Sequence, residues 1–187
     1  QLDSFDGKKP IYGWSQGLEN WYDFSLDIYY AHNTGLVDTL FWEGIEVNDM
    51  TFPTSAVTTT AEAVTPANTN FDVSDASGLQ ANDIIKIDNE YMRIVSIASN
   101  TITVSTPITN RGLFGSTAIH HSSGANVYRV IDVSHDVADA DSAGTTDGLG
   151  FVYDSELDLC LVITENNPID YLVEAGEDFT TLVTQYR

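Results

Sequence analysis

Residues 109–128, TNRGLFGSTAIHHSSGANVY, set Arg111, the adjacent His120 and His121 and several hydroxyls among Gly112, Gly115 and Gly124. A fixed cation, two imidazoles and nearby alcohols are the usual material of acid–base and metal chemistry. A zinc site needs three or four ligands in a defined geometry, and adjacent histidines on extended backbone point apart, so this pair alone does not make one. The other reading is that His121 packs and hydrogen-bonds inside the loop while His120 faces solvent. A second oxygen-rich stretch, DVADADSAGTTDG at 136–148, brings together Asp136, Asp139, Asp141 and Asp147. It lacks the alternation and the terminal glutamate of an EF-hand loop, which leaves a solvated acidic loop or a calcium site of another kind.

Other chemistry finds no anchor. Neither a Gly-x-Ser-x-Gly elbow nor a Gly-Lys-Ser/Thr phosphate loop occurs. The 28 acidic residues always offer pairs, but none is marked out for glycoside hydrolysis. Cys160 stands alone in the apolar run LDLCLVIT beside Glu156 and Asp158. That setting suits a small core residue, and a single cysteine closes no intrachain disulfide. The chain is therefore expected to be non-enzymatic, with no cofactor and no metal.

Charge narrows the partners. The 187 residues carry 28 acidic against 7 basic side chains, a formal net charge of −21, which opposes stable nucleic-acid binding through phosphate neutralisation. The imbalance is uneven: −7 over 1–56, −2 over 57–131 and −12 over 132–187. No apolar run approaches the roughly 20 residues of a bilayer span, so the chain is read as soluble, without a membrane partner. It opens on Gln1 without a signal-peptide layout, so a preceding segment is expected to have been trimmed or left out.

The elements that must hold the 109–128 stretch read as strands. FDV, DIIKI, EYMRIVSI, TITVS and NVYRVI are short Ile- and Val-rich runs punctuated by Ser77-Gly78, Asp88-Asn89 and Ser99-Asn100, the rhythm of a compact β module of about five strands. Before them VTTTAEAVTPANTN, residues 57–70, has no periodic apolar face and reads as a linker or arm. The flanks are also β-rich. DFSLDIYYA alternates, and Asn33-Thr34-Gly35 predicts a hairpin into LVDTLFWEGIEV. GFVYD, LDLCLVIT and FTTLVTQYR are further strands, while NNPIDYLVEAG predicts a short helix from Pro168 to Gly176. The expectation is a mainly β protein: a β-rich body of 1–56 and 131–187, carrying the assembly contacts, into which a small β-barrel-like module of 57–130 is inserted.

The order Arg111-Gly112-x-x-Gly115-Ser116-Thr117-Ala118-x-x-His121-x-x-Gly124-Ala125-x-Val127 resembles a β module that recurs in structural proteins of tailed bacteriophage virions. The resemblance extends upstream through Phe71-x-Val73-x-Asp75-Ala76-Ser77-Gly78, Asp83-x-Ile85-Lys86-Ile87, Glu90-x-Met92-Arg93-Ile94 and Thr101-Ile102-Thr103-Val104, covering about residues 68–130. The module is shared by tail, neck and other particle components. It implies a repeated, non-enzymatic subunit of the tail, neck or baseplate, located in the virion after assembly in the host cytoplasm, with copies of itself and other virion proteins as partners. Arg111 is then an internal strut with Glu90 as its partner, loop carbonyls fill its remaining donors, and His121 closes the same network. Gly112, Gly115 and Gly124 supply positive φ or close backbone approach. The acidic flanks either let DNA slide through a lumen without sticking or keep the free subunit soluble. A capsid decoration or head fibre protein is the alternative. A carbohydrate-binding module stacking sugars on Trp14, Trp21, Trp42, Tyr29 and Tyr30 is a further one, and the three tryptophans are otherwise expected at subunit contacts.

Overall fold

The computed structural model describes residues 8–22, 26–104, 110–133, 148–165 and 167–176. The chain divides into two compact units, one from Gln1–Thr51 with Asp139–Arg187 and the other from Phe52–Ala138. It is mainly β, and no α-helix forms among the described residues. In chain order the first unit contributes β1 (Lys8–Pro10), β2 (Ser15–Tyr22), β3 (Leu26–His32), β4 (Thr39–Trp42) and β5 (Ile45–Val47). The second unit contains β6 (Thr58–Thr59), β7 (Asn70–Asp72), β8 (Ile84–Ile87), β9 (Glu90–Arg93), β10 (Ser96–Ala98), β11 (Thr101–Thr103) and β12 (Asn126–Ile131). The chain then returns to the first unit with β13 (Gly148–Asp154), β14 (Leu159–Thr164) and β15 (Val173–Gly176).

The first unit holds two antiparallel sheets, ordered β1-β15-β4-β5 and β13-β14-β3-β2. The uninterrupted apolar run of β14 follows from its place: all six residues are buried, so both faces of the strand are covered. Its core gathers Trp14, Tyr29, Leu40, Trp42, Phe151 and Val162 among others. Burial pushes the Cys160 thiol up, away from a thiolate.

Two local expectations give way here. Residues 168–176 are not a helix. A single 3₁₀ turn, Pro168–Asp170, is capped by the Asn167 side chain, and Val173–Gly176 is then extended between β1 and β4. Val173 and Ala175 point into the core, a period-two pattern that the two flanking strands select over local helix propensity. Asn33 and Gly35 do take positive φ, 58° and 74°. The turn they make leads β3 out of one sheet and β4 into another, so no β3–β4 hairpin forms. Asp158 holds that turn, its carboxylate accepting from the Gly35 N–H at 3.1 Å and the Thr34 hydroxyl at 3.3 Å. The expected strands FTTLVTQYR and the acidic loop with Asp136, Asp139, Asp141 and Asp147 lie outside the described residues.

In the second unit the sheets run β10-β11-β7 and β6-β12-β8-β9. A bridge between Thr60 and Val73 links them, but no closed barrel forms among the described residues. EYMRIVSI is two strands: after Arg93 the chain leaves β9, Ile94 donates to the Asp83 carbonyl and Val95 to the Thr103 carbonyl, and β10 belongs to the other sheet. Met92 and Ile94 enter a core with Phe71, Ile85, Ile87, Ile102 and Val127, while Tyr91 is buried on the opposite side against Phe114. The two-residue turns between β8 and β9 and between β10 and β11 carry Asp88 and Ser99 at positive φ, 50° and 55°.

Residues 57–70 are not a free linker. Val57 donates to the Val127 carbonyl, β6 pairs with β12, and Val64 exchanges both backbone hydrogen bonds with His121. Thr-rich sequence without an apolar period conceals this, because the segment is held by backbone bonding and by two buried side chains, Val64 and Thr60, the latter through its hydroxyl.

Candidate functional site: a buried Arg111–Glu90–His121 network

The site starts from the β8–β9 hairpin, which places Asp88 in the turn and Glu90 at the first position of β9. The following loop returns alongside β9: Arg93 donates to the Asn110 carbonyl, Met92 and Arg111 form a bridge, and Leu113 donates to the Tyr91 carbonyl. Gly112, Phe114 and Gly115 then take positive φ, 63°, 56° and 77°, which turns the chain sharply enough for Ile119 and His121 to come back over Glu90. Gly124, at φ 83°, ends the excursion and donates to the Thr60 carbonyl.

Inside this loop the polar groups saturate one another. Arg111 Nε and Nη2 donate to Glu90 Oε1 and Oε2, both at 2.8 Å. Its remaining donors reach the carbonyls of Thr65 at 2.6 Å, Asn68 at 3.1 Å and Ile119 at 3.2 Å. Glu90 also accepts from the backbone N–H of Gly112 at 3.2 Å and of Ile119 at 3.0 Å. His121 Nε2 lies 2.8 Å from Glu90 Oε2, and its Nδ1 lies 2.7 Å from Asp88 Oδ2. Glu90 and His121 are fully buried, and Arg111 is 6% exposed.

Electrostatics follow the geometry. Burial alone would raise the Glu90 pKa, but the hydrogen bonds from Arg111, His121 and Ile119, together with the Arg111 charge, hold it down at about 2. Burial likewise works against a charged His121, and the contacts with Glu90 and Asp88 outweigh it, so its pKa is raised. When His121 is protonated, it and Arg111 face the two carboxylates of Glu90 and Asp88, and the cluster carries no net charge. A bidentate guanidinium–carboxylate pair with every donor used is rigid, and the buried atoms of Glu90 and His121 are closed to a substrate. The network pins two long segments, 57–70 and 110–125, onto the hairpin.

Glu90, Arg111, Gly112, His121 and Gly124 thus meet in one place, with Gly115 at the bend, while His120 points outward, exposed. Sequence reasoning did not single out Thr65, Asn68 or Asp88. The usable signal was in TPAN, where Asn68 Oδ1 accepts from the Thr65 N–H and hydroxyl and so fixes the carbonyls offered to Arg111. Among the described residues no group of three His, Cys, Asp or Glu side chains is disposed to hold a metal ion.

The tryptophans are placed differently from expectation. Trp14, Trp21 and Trp42 are 6%, 1% and 3% exposed, and Tyr29 is 6% exposed, so these rings are core and offer neither subunit contacts nor a sugar platform. The indole N–H groups of Trp14 and Trp42 have no acceptor among the described residues, which costs about 1–3 kcal/mol each against the large apolar area they bury. Exposed apolar side chains are found instead at Tyr12, Ile169 and Leu172, among others, beside an open cavity.

No protein-family model and no curated protein sequence matches this chain. Among solved structures it is similar to the Gp54 tailspike of Acinetobacter baumannii bacteriophage AP22, solved in complex with A. baumannii capsular saccharide. The identity is 20%, over 42% of this chain and 14% of that chain, with a TM-score of 0.29, a level from which no common fold follows. No helix among the described residues is long and apolar enough to cross a membrane.

Proposed function

We propose that this chain is a non-enzymatic structural subunit of a tailed bacteriophage particle, a repeated component of the tail, neck or baseplate that binds copies of itself and other particle proteins. The observation that carries the non-catalytic half of the reading is the consumption of the chemically capable residues. Arg111 spends five hydrogen bonds inside the protein, Glu90 accepts from side chains and backbone on both oxygens, and both nitrogens of His121 are engaged. Such a cluster holds a long loop in shape and turns nothing over. The particle half is supported by the resemblance of about residues 68–130 to virion modules. A net charge of −21 suits a subunit that does not grip DNA, whether it lines a passage or stays soluble before assembly.

The test is to purify particles produced by the genome that encodes this chain, separate tails from capsids and measure its copy number in each fraction by quantitative mass spectrometry. Several copies per particle in the tail fraction are expected. Recovery with capsids alone would assign it to capsid decoration or a head fibre, and absence from particles would overturn the proposal.

A further inference from the structure

At the end of the β1-β15-β4-β5 sheet, the chain at 10–14 and the chain at 168–173 enclose an open cavity of about 290 Å³. None of the residues lining it is charged, in a chain with 28 acidic side chains. Around it Tyr12, Ile169 and Leu172 are 78%, 64% and 47% exposed, so apolar knobs and an apolar hole lie on one face. Exposed residues of both charge signs neighbour the lining segments. Lys9 precedes Pro10 in the cavity wall and, among the described residues, is the one exposed basic residue. Asp170 lies between Ile169 and Tyr171, and Glu43 is fastened to Leu172, its backbone N–H donating to the Leu172 carbonyl and its Oε1 accepting from the Leu172 N–H, both at 2.8 Å.

We propose that this face docks a second copy of the chain through a self-complementary contact. Tyr12 and Leu172 of each copy enter the cavity of the other, and Lys9 of each faces Asp170 and Glu43 of the other. Copies bearing −21 repel one another over most of their surface, so association has to use a face where charge is absent or complementary. A two-fold contact uses the same patch twice, and that patch has to contain knob with hole and cation with anion. This one contains all four. The proposal rests on the reading of the chain as a repeated subunit, but it is tested on the purified chain, so its failure and the absence of the chain from particles are separate results.

The test is sedimentation velocity of the full chain from the low micromolar to the near-millimolar range. Concentration-dependent dimers are expected. The Leu172→Glu variant should be monomeric with an unchanged circular dichroism spectrum and melting temperature, since its side chain is about half exposed. The Lys9→Glu and Asp170→Lys variants should each dimerise about tenfold or more weakly, because like charges then face each other. An equimolar mixture of those two variants should recover association, since each charge again meets its opposite. A wild-type chain that stays monomeric throughout, a Leu172→Glu variant that still dimerises, or a mixture that recovers nothing would overturn the proposal.

Discussion

Arg111 and Glu90 face each other as a two-pronged pair inside the 52–138 unit, Nε to Oε1 and Nη2 to Oε2, both at 2.8 Å, with Glu90 fully buried. The two residues lie on different segments, β9 and the loop that returns beside it, so the pair is a cross-brace between them. Removing either partner strands the other.

The Arg111→Ala substitution should therefore destabilise the protein by about 3–5 kcal/mol, the range for breaking a buried pair and leaving one charge uncompensated. Arg111→Lys should recover only part of the loss, because a single ammonium cannot span both Glu90 oxygens and the carbonyls of Thr65, Asn68 and Ile119. Urea unfolding followed by circular dichroism measures both. An Arg111→Ala midpoint equal to that of the wild type would show that the pair does not brace the fold.

Stability should depend on pH from both sides. Glu90 is held at about 2 against an ordinary 4.5, so its contribution is complete above 4.5 and is lost as the pH falls from there towards 2. His121 is raised above 6.5, so its contribution is complete below that value and is lost as the pH rises through the higher folded one. Asp83, buried between the Gln80 and Val133 N–H groups, is pushed up by burial to about 6. Its contribution is complete below 3.8 and lost as the pH rises through about 6. His121→Gln should remove the alkaline decline while keeping the acid one, since Arg111 still holds Glu90. Asp83→Asn should flatten the profile between 3.8 and about 6. Unfolding midpoints measured across pH check both, and unchanged slopes in the variants would count against these assignments.

Gly112 and Gly124 separate two reasons for glycine. Both have positive φ, but a Cβ on Gly112 would lie 3.1 Å from the Ala118 nitrogen and 3.2 Å from the Ser116 oxygen, whereas one on Gly124 meets nothing within 4 Å. Gly124→Ala should cost about 1–2 kcal/mol, the conformational term alone. Gly112→Ala should cost more, because backbone of its own loop must move. Thermal melting of the two variants gives the comparison, and equal losses would remove the steric half of the explanation.

The β class was legible because it rests on local rules: Ile- and Val-rich runs of strand length and polar turn pairs such as Asp88-Asn89 need no distant partner to be recognised. Glu90, Arg111, Gly112, Gly115, His121 and Gly124 are named through the resemblance of about residues 68–130 to a virion β module, since the residue types alone leave chemistry and architecture both open. Asp88 escaped notice as a partner because a turn aspartate reads as turn chemistry alone.

What tertiary structure decided was every pairing between segments far apart in the chain. Residues 173–176 have acceptable helix propensity and become a strand because β1 and β4 flank them. Residues 57–70 have no apolar period and are held by β12, His121 and Arg111, more than forty positions downstream. Trp14 and Trp42 are core because the segments before and after the inserted unit close over them. By itself the sequence determined composition, charge, local period and turn chemistry. Burial and strand partners depend on which distant surfaces meet, and that free energy has no local signature in the chain.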